Sequence, residues 1–187
     1  MASSSSTMPI DSLLQDWQIE KKDKVEKEVY FNIPLSKVRP LFMEYNNWLD
    51  EVMFSHTLAD GYLRHISLNL SRFAKLISPK QDIDSMIAAS KTKPDLDYKK
   101  HIGGNIHVTV TSKYHSVDIR QFAFMDSTLL PTRMGVSLHF AEWYFLKQSY
   151  KYVLDVLPHL ADVKICSETH HVEDMTEAFS CRECFPF

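Results

Sequence analysis

One short pattern, in which a strand runs directly into a helix, occurs twice in this chain at a spacing of about 70 residues. The first copy reads HISLNLSRFAKL over residues 65–76, and the second reads GVSLHFAEWYFL over residues 135–146. A repeat of this length is too long for a solenoid unit, so it indicates a duplicated small domain. The equivalent positions are Ser67 and Ser137, Leu68 and Leu138, Leu70 and Phe140, Phe73 and Trp143, and Leu76 and Leu146.

Duplication explains how a short chain could bury its apolar surface. One antiparallel sheet with a single helix leaves too much apolar surface exposed to be stable alone. Two such units that pack on each other would cover that surface, and 187 residues, 44% of them hydrophobic, are enough for the resulting core. We therefore predict an α+β fold in which two units, each an antiparallel sheet plus helix, form a pseudo-dimer within one chain.

Each unit is predicted to contain three strands followed by helix. Period-two alternation and β-type residues indicate strands over 29–33, 48–54 and 63–68 in the first unit, and over 105–110, 116–124 and 136–139 in the second. Apolar residues at three- and four-residue steps indicate helices over 69–77, 82–90 and 140–157, with Pro158 ending the last.

These elements divide the chain into five segments. A serine-rich start precedes the first unit, and a polar stretch with a proline separates the two units. The predicted segments are a disordered lead (1–10), a first, diverged unit (11–90), a linker (91–104), a second unit (105–162) and a tail that contains cysteine and histidine (163–187).

Composition restricts the class of protein. The net charge of -3 excludes a surface that is basic all over, so any contact with nucleic acid must come from a local patch. No apolar run approaches the roughly 18 residues that span a membrane, and the first residues lack the pattern of a secretory signal. The odd count of three cysteines does not suggest a secreted disulfide framework, so we expect a reducing, intracellular compartment.

The second unit resembles a known family in the order of its motifs. The residues that carry the resemblance are Val108-Thr-Val110, Val117-Asp-Ile-Arg-Gln-Phe122, Pro131-Thr-Arg-Met-Gly-Val-Ser-Leu138, Glu142-Trp143 and Leu146-Lys147. Over roughly 106–162 they are similar to the RNA polymerase II transcriptional coactivators known as positive cofactor four, which bind single-stranded DNA. The first unit looks like a diverged copy that keeps Ile66-Ser-Leu-Asn-Leu70, Phe73 and Leu76.

The resemblance implies a fold, a function and a location. The fold would be four-stranded antiparallel sheets, each with one helix, that dimerise through helices and sheet ends. The function would be non-catalytic binding of single-stranded or melted nucleic acid as a transcription or replication cofactor in the nucleus, with transcription proteins as further partners. No hydrolase, nucleotide-binding or metalloprotease motif occurs in the sequence, so we predict that the protein is not an enzyme.

Seven residues are candidates for the nucleic-acid site, because single strands need flat rings for base stacking and cations for phosphates. Strand alternation buries one face, so Phe122 or Phe124 could instead belong to the core, and Trp143 is expected there. The candidates are Lys113, Tyr114, His115, Arg120, Phe122, Phe124 and Arg133.

An alternative function is a protein-interaction or structural module that keeps the dimer-like fold without binding DNA. The loop 111–116 contains only one lysine, and Arg133 is the one basic residue kept in the turn that follows. Asp50 and Glu51 stand in the first unit where Arg120 and Gln121 stand in the second.

The tail has the residue types of a structural zinc site. Thiolate and imidazole groups are the preferred zinc ligands, and such a site would order a segment too small to fold alone. The alternative is ordinary thiols on a polar tail. The predicted ligands are Cys166, His170, Cys181 and Cys184.

Overall fold

The computed structural model describes residues 31–78, 82–93, 96–165, 170, 179–181 and 183–184. These residues form an α+β fold with two four-stranded antiparallel sheets, each followed by helix. The predicted lead (1–10) lies outside the described residues. None of the helices in the described part of the chain is long and apolar enough to cross a membrane.

The first sheet is an up-and-down meander with the strand order β1-β2-β3-β4. Two helices, α1 and α2, follow it. The bounds are β1 (Asn32–Pro34), β2 (Leu41–Asn46), β3 (Glu51–Thr57), β4 (Leu63–Asn69), α1 (Leu70–Ile77) and α2 (Ile83–Ser90).

The second sheet repeats this plan with the order β5-β6-β7-β8. One long helix, α3, and a short 3₁₀ turn follow it. The bounds are β5 (Asp97–Gly103), β6 (Ile106–Thr111), β7 (Ser116–Met125), β8 (Thr128–His139), α3 (Phe140–Val156) and the 3₁₀ turn (Pro158–Asp162).

In both halves the last strand enters the helix without a loop. The cap residues Asn69 and His139 have nearly the same extended backbone, with φ of -61° in both and ψ of 162° and 155°. The Asn69 side chain accepts a hydrogen bond from the amide of Arg72 at 2.9 Å, and the Glu142 carboxylate accepts one from the amide of His139 at 2.7 Å. Both helix starts thus satisfy amides that would otherwise lack a partner.

The two halves share one apolar core. Alternating residues of each sheet face inward, and the repeated helix positions Phe73, Leu76, Trp143 and Leu146 are all buried. The expectation that Trp143 belongs to the core is confirmed, because its side chain is 2% exposed. Strands β4 and β8 lie against each other, so the sheets meet along these strands.

Polar contacts also join the halves inside this core. Arg39, which precedes β2, forms a bidentate ion pair with Glu142 of α3, and its guanidinium also donates to the Ser137 carbonyl at 2.6 Å. Burial alone would raise the pKa of Glu142, but hydrogen bonds from Arg39 and the His139 amide hold that pKa below its usual value. A charge that is buried so deeply depends on its partner.

A second polar contact links α2 to α3. The indole nitrogen of Trp143 donates to the Asp84 carboxylate at 2.8 Å, and Lys147 forms an ion pair with the same carboxylate. The side chains of Phe73 and Tyr150 also approach each other across the halves, with ring centroids 6.3 Å apart. The helices of the two halves therefore pack on each other as well as on their own sheets.

The structure corrects three details of the sequence prediction. The sequence predicts a linker over 91–104, but 97–103 form the edge strand β5, and the two-residue turn Gly104-Asn105 connects it to β6. The first half contains an additional strand, β2. The strand predicted over 48–54 begins at Glu51, because Asp50 has a positive φ of 53° in a turn that leaves Trp48 86% exposed.

Replacement of Arg39 by Met is expected to lower the free energy of unfolding by about 3 kcal/mol, because Glu142 would remain buried without its partner. Urea denaturation followed by circular dichroism measures this change. The matched control is Lys37→Met, which removes an exposed cation two residues away. The double variant Arg39→Met/Glu142→Gln should recover part of the loss. Equal stability of Arg39→Met and Lys37→Met would contradict the assignment of the ion pair to the contact between the halves.

Candidate nucleic-acid interface

The second sheet has an outer face that points away from the shared core. Along β6, the side chains of Val108 and Val110 are buried in the core. Because successive side chains of a strand point to opposite faces, His107 lies on the outer face. The register places His107 opposite His101 of β5 and Arg120 of β7. These three residues therefore form a row across the outer face.

Three rings and one ammonium group meet beside this row, and we call them the ring cluster (Lys99, His101, His107 and Phe122). The ring centroids of His101 and His107 are 4.9 Å apart, and those of His107 and Phe122 are 4.8 Å apart. The Lys99 ammonium lies 3.7 Å from the centroid of the Phe122 ring, within the range of a cation–π contact. The cluster thus combines flat rings with a positive charge.

The alternation of β7 places Phe122 on the same face as Arg120 and so in this cluster. The register of β7 and β8 shifts between Arg120 and Phe122, and the Phe122 amide donates to the Asn105 carbonyl at 2.8 Å. Phe122 is only 8% exposed, yet it is not part of the main core cluster. Phe124, two residues later, is 49% exposed. The choice between core and surface is therefore resolved in part: Phe122 is buried on the outer face, and Phe124 is exposed.

Burial disfavours the charged form of both histidines in the cluster. Burial, followed by the charges of Lys99 and His101, lowers the pKa of His107 to about 4. Burial also lowers the pKa of His101, and Lys75 and Arg72 act in the same direction. Within the described part of the chain, His101 Nε2 and His107 Nδ1 are buried without a hydrogen-bond partner. Lys99 is therefore the positive charge of the cluster at neutral pH.

Arg120 lies beside the cluster but is already bound. Its guanidinium donates to both carboxylate oxygens of Asp118, at 2.8 and 2.7 Å, and to the Thr132 carbonyl at 3.0 Å. These hydrogen bonds raise the pKa of Arg120. Gly135 faces Arg120 across the β7–β8 pair, and a Cβ there would lie 3.0 Å from both Cα and Cβ of Arg120. The glycine therefore allows the close approach that fixes this arginine.

The remaining candidates are spread along the β7–β8 hairpin. Lys113, Tyr114 and His115 are exposed in the β6–β7 turn, where the His115 carbonyl accepts a hydrogen bond from the Phe140 amide at the start of α3. Phe124 lies near the opposite end of β7, about 26 Å away at the usual rise of a strand. Arg133 is exposed on β8. The structure thus brings Arg120 and Phe122 together, with Phe124 two residues further along β7 and Arg133 opposite them on β8. Only the three residues of the β6–β7 turn lie apart from this group.

Sequence reasoning missed Lys99, His101 and His107. The first two lie in β5, within the stretch 91–104 that is predicted to be a linker because it is polar and contains a proline. The signal for this strand was the Gly103-Gly104 pair, since two glycines between alternating segments are typical of a hairpin turn. His107 was within a predicted strand, but its neighbours across the sheet were unknown.

The outer face of the first sheet has a different character. It carries Glu44, which accepts a hydrogen bond from Asn32 at 3.0 Å, and Glu51, which pairs with Asn69. Met53 lies between them in the register, opposite Glu44 and Ser67. Phosphate groups would be repelled by the two carboxylates.

A separate cluster lies in the tail. The donor atoms of His170, Cys181 and Cys184 all lie within 4.8 Å of one another, close enough to hold a metal ion. Cys184 Sγ is 3.5 Å from His170 Nε2. The fourth predicted ligand, Cys166, lies outside the described residues.

Comparisons with protein families, curated proteins and solved structures found no match to this chain.

Stability is expected to fall as the pH decreases from about 6.5 toward 4. His107 has a depressed pKa in the folded state, so over this range the unfolded chain binds more protons than the folded chain, and acid favours unfolding. Replacement of His107 by Gln should flatten this part of the curve, as measured by urea denaturation at several pH values. The control His65→Gln changes an exposed histidine. If the free energy of unfolding depends on pH in the same way for wild type and His107→Gln, His107 is not the cause of the loss of stability in acid.

Proposed function

We propose that this protein binds single-stranded or melted nucleic acid on the outer face of its second sheet, without catalysis, as a nuclear cofactor in transcription or replication. The observation that carries the proposal is the Lys99 ammonium held over the buried Phe122 ring, with the exposed Phe124 ring two residues further along the same face of β7. Rings supply stacking surfaces for bases, and cations supply contacts for phosphates. The resemblance of the second half to single-stranded-DNA-binding coactivators supports the same assignment.

We also propose that the halves are diverged copies that form an intramolecular pseudo-dimer. Three observations support this: the same strand order in both sheets, the loop-free entry into α1 and α3 with similar cap geometry, and the contact between β4 and β8. The outer faces of the two sheets differ in charge, which is consistent with nucleic-acid binding by the second sheet alone.

The exposed rings and charges suggest how a bound nucleic-acid strand would lie on the second sheet. The exposed side chains of Tyr114, Phe124 and Arg133 extend the ring cluster along the β7–β8 hairpin. Lys113 stands beside Tyr114, with its ammonium 5.5 Å from the ring centroid. A nucleic-acid strand that follows the hairpin would meet Lys113 at the β6–β7 turn and Arg133 at the middle of the hairpin, beside the ring cluster. Such a site would be weaker than one on a uniformly basic surface and strongly dependent on salt.

The second candidate function is a protein-interaction module, and a specific observation favours it. Arg120 is bound to Asp118, so its charge is largely neutralised within the sheet. The far end of the β7–β8 hairpin exposes apolar side chains, which suit contact with a protein partner better than contact with phosphates. They are Phe124, Met125, Leu130 and Met134.

For the tail we propose a structural zinc ion bound by His170, Cys181 and Cys184, with Cys166 as the predicted fourth ligand. A tetrahedral zinc site has bonds of about 2.3 Å to sulfur and about 2.1 Å to nitrogen, so its ligand atoms lie about 3.5 to 3.8 Å apart. The separation of 3.5 Å between Cys184 Sγ and His170 Nε2 fits this geometry.

Fluorescence anisotropy of a labelled single strand of about 20 nucleotides, compared with its duplex at low and moderate salt, tests the nucleic-acid proposal. We expect preference for the single strand with a dissociation constant on the order of 1 μM at low salt. Phe124→Ser should weaken binding by about 1 kcal/mol or more through lost stacking. Lys99→Gln should weaken binding and reduce the salt dependence.

The matched control is Lys37→Gln, an exposed cation of the first half that should leave the affinity unchanged. Absence of binding at low salt, where phosphate contacts are strongest, would contradict the proposal and favour the interaction module. Equal losses of affinity for Lys99→Gln and Lys37→Gln would show that the binding site does not include the ring cluster.

A further inference from the structure

Glu183, which lies between Cys181 and Cys184, docks into a notch between the two halves, formed by Arg72 and the Gly103-Gly104 segment. Its carboxylate accepts two hydrogen bonds from the Arg72 guanidinium of α1, at 2.7 and 2.6 Å. Its backbone carbonyl accepts the amide of Gly104 in the β5–β6 turn at 3.1 Å. Glu183 therefore holds a helix of the first half and a turn of the second half at the same time.

The notch is shaped for this contact. A Cβ on Gly103 would lie 2.5 Å from Glu183 Oε2, and a Cβ on Gly104 would lie 2.1 Å from Arg72 Nη2. Both glycines also have positive φ values, of 126° and 54°. Only a segment without side chains leaves room for the Arg72–Glu183 pair, so this segment and the tail are complementary in shape as well as in charge.

A second contact returns the chain toward the same helix. The Ser71 hydroxyl donates to the Lys164 carbonyl at 3.2 Å, so the segment that follows the 3₁₀ turn reaches the start of α1. Glu183 is also 3.4 Å from the Asn69 side-chain amide, which donates to its carboxylate. The tail therefore meets the first turn of α1 at two separate points along the sequence.

The metal-binding residues frame the docking residue. The Cys184 amide donates to the Cys181 carbonyl at 3.1 Å, which closes a tight turn with Glu183 inside it. A partly exposed ion pair alone contributes at most about 1 kcal/mol. A metal ion bound to both cysteines and His170 would fix this turn and so present Glu183 to Arg72 in one orientation.

We propose that zinc binding by His170, Cys181 and Cys184 closes a clasp in which Glu183 joins the two halves and covers Arg72. The inference rests on the zinc site proposed above and is independent of nucleic-acid binding. Metal removal opens the clasp: the turn between the cysteines loosens, Glu183 leaves the notch, and the Arg72 guanidinium becomes accessible at the end of the second sheet where β5 meets β6.

The test uses the full chain and the rate at which phenylglyoxal modifies Arg72, followed by mass spectrometry with Zn²⁺ and with a chelator. Substitution of Co²⁺ reports independently whether thiolates bind metal, through its absorption bands. We expect metal to slow Arg72 modification and Gly104 amide exchange at least about tenfold. Glu183→Gln should keep the Co²⁺ spectrum and lose the protection of Arg72.

Two glycine variants separate docking from backbone strain. Gly104→Ala places a methyl group against Arg72, whereas Gly61→Ala introduces the same kind of strain, at a φ of 82°, with no atom within 4 Å. Metal-dependent protection should disappear in Gly104→Ala and persist in Gly61→Ala. No Co²⁺ spectrum would overturn the zinc site and the clasp together. A thiolate–Co²⁺ spectrum with Arg72 equally reactive in both states would overturn the clasp and leave the zinc site standing.

Discussion

The fold depends on one requirement. Each sheet has an apolar inner face that its own helices cover only in part, so the two halves must pack on each other to bury the rest. The Arg39–Glu142 pair shows how strictly this requirement is met, because a carboxylate with a side chain only 7% exposed lies at the contact between the halves. A buried pair of this kind adds little stability compared with apolar packing, but it penalises any arrangement that separates the partners. It therefore selects one relative placement of the halves from the many that an apolar contact alone would allow.

That placement determines which surfaces remain for function. The inner faces of both sheets are buried in the shared core, so among the described residues the outer faces, the hairpin ends and the notch at Arg72 remain for contact with a ligand. On the second sheet, outward-facing side chains of the edge strand β5 and of its neighbours β6 and β7 come together to form the ring cluster. Phe122 follows the regular alternation of β7 and shares a face with Arg120, while the extra residues at the irregularity belong to β8.

Much of the fold could be predicted from the sequence because the relevant signals are local. The three- and four-residue steps that include Phe73 and Trp143 identify the repeated helix starts, and both residues are buried as that period requires. Strand β5 was not predicted from the sequence because an edge strand exposes part of its surface. The polar residues Lys99 and Lys100 obscure the alternation of Tyr98 and Ile102.

The candidate site was harder to predict, because its contacts are not local. The Asp118–Arg120 pair follows from their two-residue spacing on one face of a strand. The contact between Lys99 and Phe122 does not, since it requires the order and register of β5, β6 and β7. The partners Arg39 and Glu142 are 103 residues apart, so no periodicity in the sequence connects them.

Covalent connection of the two sheets has a consequence for how they can differ. In a complex of two identical chains, symmetry places every substitution on both surfaces at once, and assembly depends on concentration. Here the Gly103-Gly104 segment has a partner in Arg72 and Glu183, and the carboxylates of Glu44 and Glu51 face solvent on one sheet only. The link between the sheets makes their association intramolecular, with an effective concentration set by the chain itself. Substitutions can therefore differ between the two sheets, so that one outer surface changes its charge while the other keeps its own.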